Sequence, residues 1–336
     1  MTTRRRPTAE RGCSIRPSWT KPRFDAQRAA AFQGRRAKNL EDFPMALVSM
    51  RPMLRHARTN GYGIAAYNMI DFNSAASVIA GATALNAPVI VQVSVKTVKH
   101  WGARAVASWV RMLAEDAPVP VALHLDHCTD LDVIKRCIDA GWTAVMFDGS
   151  SLPFDENLRR SVEVYRLAEA AGVGLEAEIG AIGGVEDDKV VGADDAQLAN
   201  FDECVEFCRE MPYLAVFAPA IGTAHGFYKG EANIAYDLLE RITKVIEIPI
   251  ALHGGTGLTE EQFHRCIGLG CAKVNISTGH KRLFIDGFCN LRDEKPTLGE
   301  PLPFIIAQHD AMEADVMAMI RLFGSDGRAP EVADAA

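Results

Sequence analysis

From Met45 onward, short runs of β-branched and other apolar residues alternate with longer stretches in which apolar positions recur every three or four residues. That alternation is the signature of a parallel sheet covered by helices. Eight strands are expected: 62–68 (YGIAAYN), 88–94 (PVIVQVS), 119–127 (VPVALHLDH), 142–149 (WTAVMFDG), 173–180 (VGLEAEIG), 213–222 (YLAVFAPAIG), 248–255 (IPIALHGG) and 271–278 (CAKVNIST). Helical stretches lie between them, among them 74–87, 129–141 with Thr129 as N-cap and Gly141 as stop, 156–172, and 259–270 with Thr259 and Gly268 in the same two roles.

Eight consecutive strand and helix units are what a (β/α)8 or TIM barrel requires. An open doubly wound sheet usually has fewer strands, and no GxGxxG follows the first strand. Two segments break the period: a polar insertion at 181–200, and a helix near 303–324 inside a C-terminal helical extension of about 291–336. The barrel domain is therefore placed at 45–336.

Charge sets the first 44 residues apart. Residues 1–40 carry eleven Lys and Arg against Glu10 and Asp25, so a chain of net charge −7 has a body near −16. With little apolar periodicity and much Arg, Pro and Ala, residues 1–44 are expected to form a disordered or loosely attached basic arm. An organelle leader is one reading of it; an upstream start or a vector-derived segment before Met45 is preferred. The acidic body offers nucleic acid no basic face, and no run approaches the roughly 20 apolar residues that cross a bilayer. A cytoplasmic protein without nucleic-acid or membrane partners is expected. Eight scattered cysteines with no CxxC pair read as reduced thiols filling the core; Cys204 and Cys208, four apart on a helix face, lack a second ligand pair.

In such a barrel the active site forms at the C-terminal strand ends, where polar residues are unusually dense here. Strand three ends in His124, Asp126 and His127, strand four in Asp148, strand five in Glu176 and Glu178. His225 follows strand six, His253 ends strand seven, and Lys273 and Asn275 lie on strand eight. Three histidines from separate strand ends, His127, His225 and His253, could make the three-imidazole site of a catalytic zinc. Period-two alternation puts His124 and Asp126 on one face and His127 on the other, so His124 stays a rival ligand. The glycine turns "AHG" (224–226) and "HGGTG" (253–257), with "NIST" (275–278), suit a phosphate, because loops after strands seven and eight are the recurring phosphate site of these barrels.

The pieces "AAYN", "PVIVQVS", "LHLDHC", "AVMFDGS", "LEAEIGAIGGVED", "IGTAHGFYKG", "LHGGTG" and "AKVNIST" occur in order from Met45 to about 290. In these the chain resembles the class II, metal-dependent ketose-bisphosphate aldolases, which include fructose- and tagatose-bisphosphate aldolases. The resemblance implies a (β/α)8 barrel in homodimers or homotetramers. It also implies reversible cleavage of a phosphorylated ketose to dihydroxyacetone phosphate and an aldehyde, as in glycolysis and related carbohydrate metabolism. It places zinc on His127, His225 and His253, with Asp148 and Glu178 near the metal. Asp126 falls on the residue that exchanges a proton with the C4 hydroxyl, Glu186 on the mobile-loop acid acting at C3, and Asn275 beside the substrate carbons. Phosphate and substrate contacts fall on Gly226, Gly254, Gly255, Thr256, Ser277 and Thr278, with Asn68 and Ser94 lining the pocket. A monovalent cation, K+ or Na+, is implied near the phosphate loops.

The chain departs from the resemblance at Ser277, where fructose-bisphosphate members commonly carry Asp, at Gly279 and His280, and at Val185, which replaces an acid. Those changes leave the identity of the ketose and its C4 configuration open. No residue stands out for a second phosphate; Lys281 and Arg282 are candidates. Competing readings are an aldolase of this family acting on another ketose phosphate, a Schiff-base aldolase using Lys273, a barrel metallohydrolase, and a non-catalytic sugar-phosphate-binding barrel.

Overall fold

A computed structural model describes residues 47–186, 189–191, 197–228, 230 and 232–335. Backbone contacts divide the chain into units at 1–42 and 43–336, and every described residue belongs to the second. The arm expected at 1–44 lies outside the described residues.

The described strands are β1 (Ile64–Asn68), β2 (Val89–Ser94), β3 (Val121–Cys128), β4 (Ala144–Phe147), β5 (Gly174–Ile179), β6 (Gly183–Glu186), β7 (Lys189–Val191), β8 (Val216–Pro219), β9 (Ala224–His225), β10 (Ile250–Leu252) and β11 (Cys271–Ile276). Eight of them, all parallel, close into a barrel in the order β1-β11-β10-β8-β5-β4-β3-β2. All eight expected strands are there. The polar insertion supplies the hairpin β6–β7, and β6 also pairs in parallel with β9.

Helices cover the barrel: α1 (Met50–Thr59), α2 (Phe72–Ala84), α3 (Val95–Trp101), α4 (Ala103–Glu115), α5 (Leu131–Asp139), α6 (Phe154–Ala170), α7 (Phe201–Glu210), α8 (Tyr236–Val245), α9 (Glu260–Gly268), α10 (Thr278–Glu294), α11 (Leu302–Phe323) and α12 (Ala329–Ala335). Two local expectations are corrected. The N-cap of α5 is Asp130, not Thr129: its carboxylate accepts from the Asp132 N–H at 3.0 Å, while Cys128 stays in the ladder by accepting from Asp148 N–H at 2.9 Å. Gly268 is the last helical residue of α9, and the chain reverses at Gly270 with φ 105°. Thr259 caps α9 in a capping box with Gln262, as Ser/Thr-x-x-Gln spacing dictates.

One apolar layer separates strands from helices; a second fills the barrel's N-terminal end. There Ile64, Ile90, Ala122, Ala144, Val216 and Ala251 pack with Met50, Met53, Leu54 and Ala57 of α1, so that helix stoppers the barrel. The stopper leaves the opposite end as the mouth. Leu54→Ala, at a fully buried position, is expected to cost about 2–5 kcal/mol through lost transfer energy and the cavity left behind. A lower urea midpoint at unchanged slope would show it; an unchanged midpoint contradicts the stopper. Toward the mouth the interior turns polar: Gln92, His124, Glu176 and Lys273 are all 0% exposed.

Candidate active site

Sequence alternation alone could not choose between His124 and His127; the backbone brings His127, not His124, to the mouth beside Asp126. His127 adopts φ 44°, one of two non-glycine residues with positive φ among those described, and the β3–β4 register slips between Leu125 and Cys128. The left-handed residue turns its side chain back into the mouth beside Asp126. Such a conformation costs on the order of 1–3 kcal/mol and persists where its surroundings enforce it. His124 instead lies deeper, its Nε2 3.2 Å from Glu176 Oε2.

His127, His225 and His253 each offer a ring nitrogen within 4.8 Å of the others. Their rings meet edge to face, with centroids 5.0 Å apart for His127 and His225 and 4.7 Å for His127 and His253. Groups behind the rings set their tautomers. Glu176 Oε1 stands 2.7 Å from His253 Nε2, and Asp148 Oδ2 stands 3.1 Å from His127 Nδ1. With the carboxylates accepting from those nitrogens, the opposite nitrogens, His253 Nδ1 and His127 Nε2, point at each other across 2.9 Å into the space between the rings. Three convergent imidazole nitrogens, each ring oriented from behind or held by packed backbone, are a donor set that fits a divalent metal ion.

Electrostatics hold this arrangement. Burial lowers the His253 pKa to about 4, against the opposing pull of Glu176, which keeps the imidazole neutral and able to ligate. Burial also lowers the His124 pKa, with the Lys273 charge adding to it. For Glu176 burial works in the other direction. The Lys273 charge and the hydrogen bonds from His124 and His253 outweigh it, holding the carboxyl well below its usual range. Asp148 and Glu178 form a second convergent group with His127. Asp148 Oδ1 accepts from the Ser150 hydroxyl at 2.6 Å, and Glu178 Oε2 lies 3.8 Å from His127 Nδ1.

Asp126 is 2% exposed and held by a relay of amides: Gln92 donates to Asn68 at 2.7 Å, and Asn68 donates to Asp126 Oδ2 at 2.8 Å. Oδ1 has no hydrogen-bond partner among the described residues. Beside the imidazoles, a cavity is lined by His225, Gly226, Gly254, Gly255, Thr256, Asn275, Ser277 and Thr278. The 17-residue α10 begins at Thr278, so its N-terminal end opens onto that cavity.

Glycine is needed where backbones press together. Gly254, at φ 67°, packs against the Ala224 carbonyl, and Gly184, at φ 103°, against that of His225; a Cβ at either position would collide. Tyr228 ties the same strands, accepting from Ala224 N–H at 2.8 Å and donating to the Gly254 carbonyl at 2.9 Å. His225 is thereby fixed between β6 and the β10 loop.

Most residues singled out from sequence meet at this mouth. Asn68 donates to Asp126, and Ser94 is the N-cap of α3. Asn275 has an amide nitrogen without a partner among the described residues. The Glu186 side chain lies outside the described residues. Sequence reasoning missed Gln92, Tyr228 and the role of Glu176. Gln92 lies two residues before Ser94 and Glu176 two before Glu178, so alternation could have put both on the inner face; for Tyr228 no signal existed.

Comparison with known proteins decides the family. The family described as fructose-bisphosphate aldolase class-II matches residues 48–328. The chain belongs to it. A fructose-bisphosphate aldolase of Geobacillus stearothermophilus is 38% identical over 290 residues, 85% of this chain and 100% of that one. A sulfofructosephosphate aldolase of Alkalicoccus urumqiensis is 36% identical over 287 residues, covering 85% and 99%. A 6-phospho-5-dehydro-2-deoxy-D-gluconate aldolase of Bacillus subtilis (strain 168) is 36% identical over 288 residues, covering 85% and 98%. This class II aldolase is thus an enzyme, a lyase, and the reading as a non-catalytic binding barrel falls away. Among its described residues no helix is long and apolar enough to cross a membrane.

Proposed function

We propose that this aldolase reversibly cleaves a phosphorylated ketose bearing a second anionic group to dihydroxyacetone phosphate and an aldehyde, with zinc held by His127, His225 and His253. One observation carries the reading: His225 belongs both to the three converging imidazoles and to the cavity of glycine, threonine and serine residues at the α10 N-terminus. Cleaving a bond next to a ketone puts negative charge on the fragment that carries the phosphate, so the charge-stabilising group and the phosphate cradle must be neighbours. When bound, zinc supplies the Lewis acidity for that charge.

The chain's own groups do the rest. Asn68 holds Asp126 through Oδ2, and the unpartnered Oδ1 takes the C4 hydroxyl proton as the bond breaks. Glu186, two residues along β6 from Gly184, which pairs with His225, is proposed to return a proton to C3. Gly254, Gly255, Thr256 and the first turn of α10 receive the phosphate through backbone N–H groups. The imine alternative is disfavoured by Lys273, whose Nζ is enclosed at 2.9 Å from Glu176 and 2.6 Å from Asn275, with no exposure.

The relatives point to the second anion. Their printed substrates, a fructose bisphosphate, a sulfofructose phosphate and a phosphorylated dehydrodeoxygluconate, share one phosphate and differ at the other end, which carries phosphate, sulfonate or carboxylate. Identities of 36 to 38% do not choose among them. Dihydroxyacetone phosphate release should be measured over these three and tagatose 1,6-bisphosphate. One is expected to exceed the rest by about tenfold or more in kcat/KM; release from none of them contradicts the proposal.

A further inference from the structure

We propose that Lys273 is a positioning residue for two groups at once: the carboxylate behind His253 and the amide of Asn275 that faces the phosphate cavity. The inference rests on the aldolase reading above and extends it to how the mouth is assembled. Lys273 and Asn275 stand two apart on β11, so both enter the barrel interior. Lys273 has no solvent exposure; its ammonium pairs with the Glu176 carboxylate, Nζ 2.9 Å from Oε2, and donates a hydrogen bond to Asn275 Oδ1 at 2.6 Å. Through its other oxygen Glu176 accepts from His253 Nε2 at 2.7 Å.

An ammonium carries donors only, so Asn275 must turn its oxygen toward Lys273 and its Nδ2 away. That nitrogen is the buried donor left without a partner among the described residues, on a side chain that lines the cavity. In this orientation Asn275 offers N–H to an oxygen of an anionic substrate. Flipped, it would present a carbonyl oxygen and repel the same ligand. One buried cation therefore fixes which way the substrate-facing amide points and holds the partner of a metal-facing imidazole.

The test compares wild type with Lys273→Met, Lys273→Met/Glu176→Gln and Asn275→Asp. The single lysine change strands a buried carboxylate and risks the fold; the double variant removes both charges together, with circular dichroism and Tm as the fold control. Zinc affinity is read by competition with a chromophoric chelator, which needs no turnover. KM and kcat are read at saturating zinc with the preferred ketose phosphate. The folded double variant is expected to bind zinc about 10- to 100-fold more weakly and to raise KM about tenfold or more, as loss of a hydrogen bond to a charged ligand does. Asn275→Asp, which keeps an oxygen for Lys273 but replaces the donor, should reproduce the KM rise at wild-type zinc affinity. A folded double variant with wild-type zinc affinity and KM overturns the proposal, and a zinc loss with unchanged KM overturns its Asn275 half. If wild type cleaves no ketose phosphate, the functional reading fails while the zinc competition still decides the role of Lys273 at Glu176.

Discussion

Replacing Asp126 by alanine is expected to leave zinc bound at one ion per chain and to cut turnover by about 100- to 10,000-fold, the usual contribution of a positioned acid/base group. The expectation follows from position. Asp126 lies next to His127 in sequence, yet Asn68 holds it and it belongs to neither group of residues that could bind a metal ion. Its loss removes a proton acceptor and leaves the three imidazoles and their supporting carboxylates in place. Metal analysis of the purified variant beside its kcat separates the two functions. Full zinc content with near-normal turnover removes the role assigned to Asp126.

His253→Ala should fail in the opposite way, losing the metal itself. The ring contributes one of three converging nitrogens, and its deletion also strips Glu176 of a donor it holds at 2.7 Å. Loss of a direct ligand should weaken zinc binding by more than the roughly 10- to 100-fold typical of supporting residues. Titration against a chelator checks this, and wild-type affinity in the variant would exclude His253 as a ligand. Together the two variants divide the mouth into a part that holds metal and a part that moves a proton.

Much of this fold was legible because parallel barrel strands are buried on both faces, so their sequences are continuous apolar runs that stand out from the helices between them. The strand-end polar residues were legible for the same reason: a histidine or carboxylate closing an apolar run has nowhere to go but the mouth. What stayed hidden depended on single backbone angles or on cross-barrel partners. His127 enters the site only because φ reaches 44°, and alternation had pointed it toward the helices. Thr129 and Asp130 are both good caps, and only the ladder bond at Cys128 shows which one the helix uses. Alternation puts Gln92, Glu176 and Lys273 on the inner face; that Lys273 bridges Glu176 and Asn275 requires the closed barrel.

The central claim is that carbon–carbon bond cleavage at this mouth depends on a metal ion held by His127, His225 and His253. Its most direct test is dihydroxyacetone phosphate release from the preferred ketose phosphate before chelation, after removal of metal, and after zinc is returned, with borohydride added in parallel. The account predicts activity abolished by the chelator, restored by stoichiometric zinc, and untouched by borohydride. Activity that survives complete metal removal, or substrate-dependent borohydride labelling of Lys273, would contradict it.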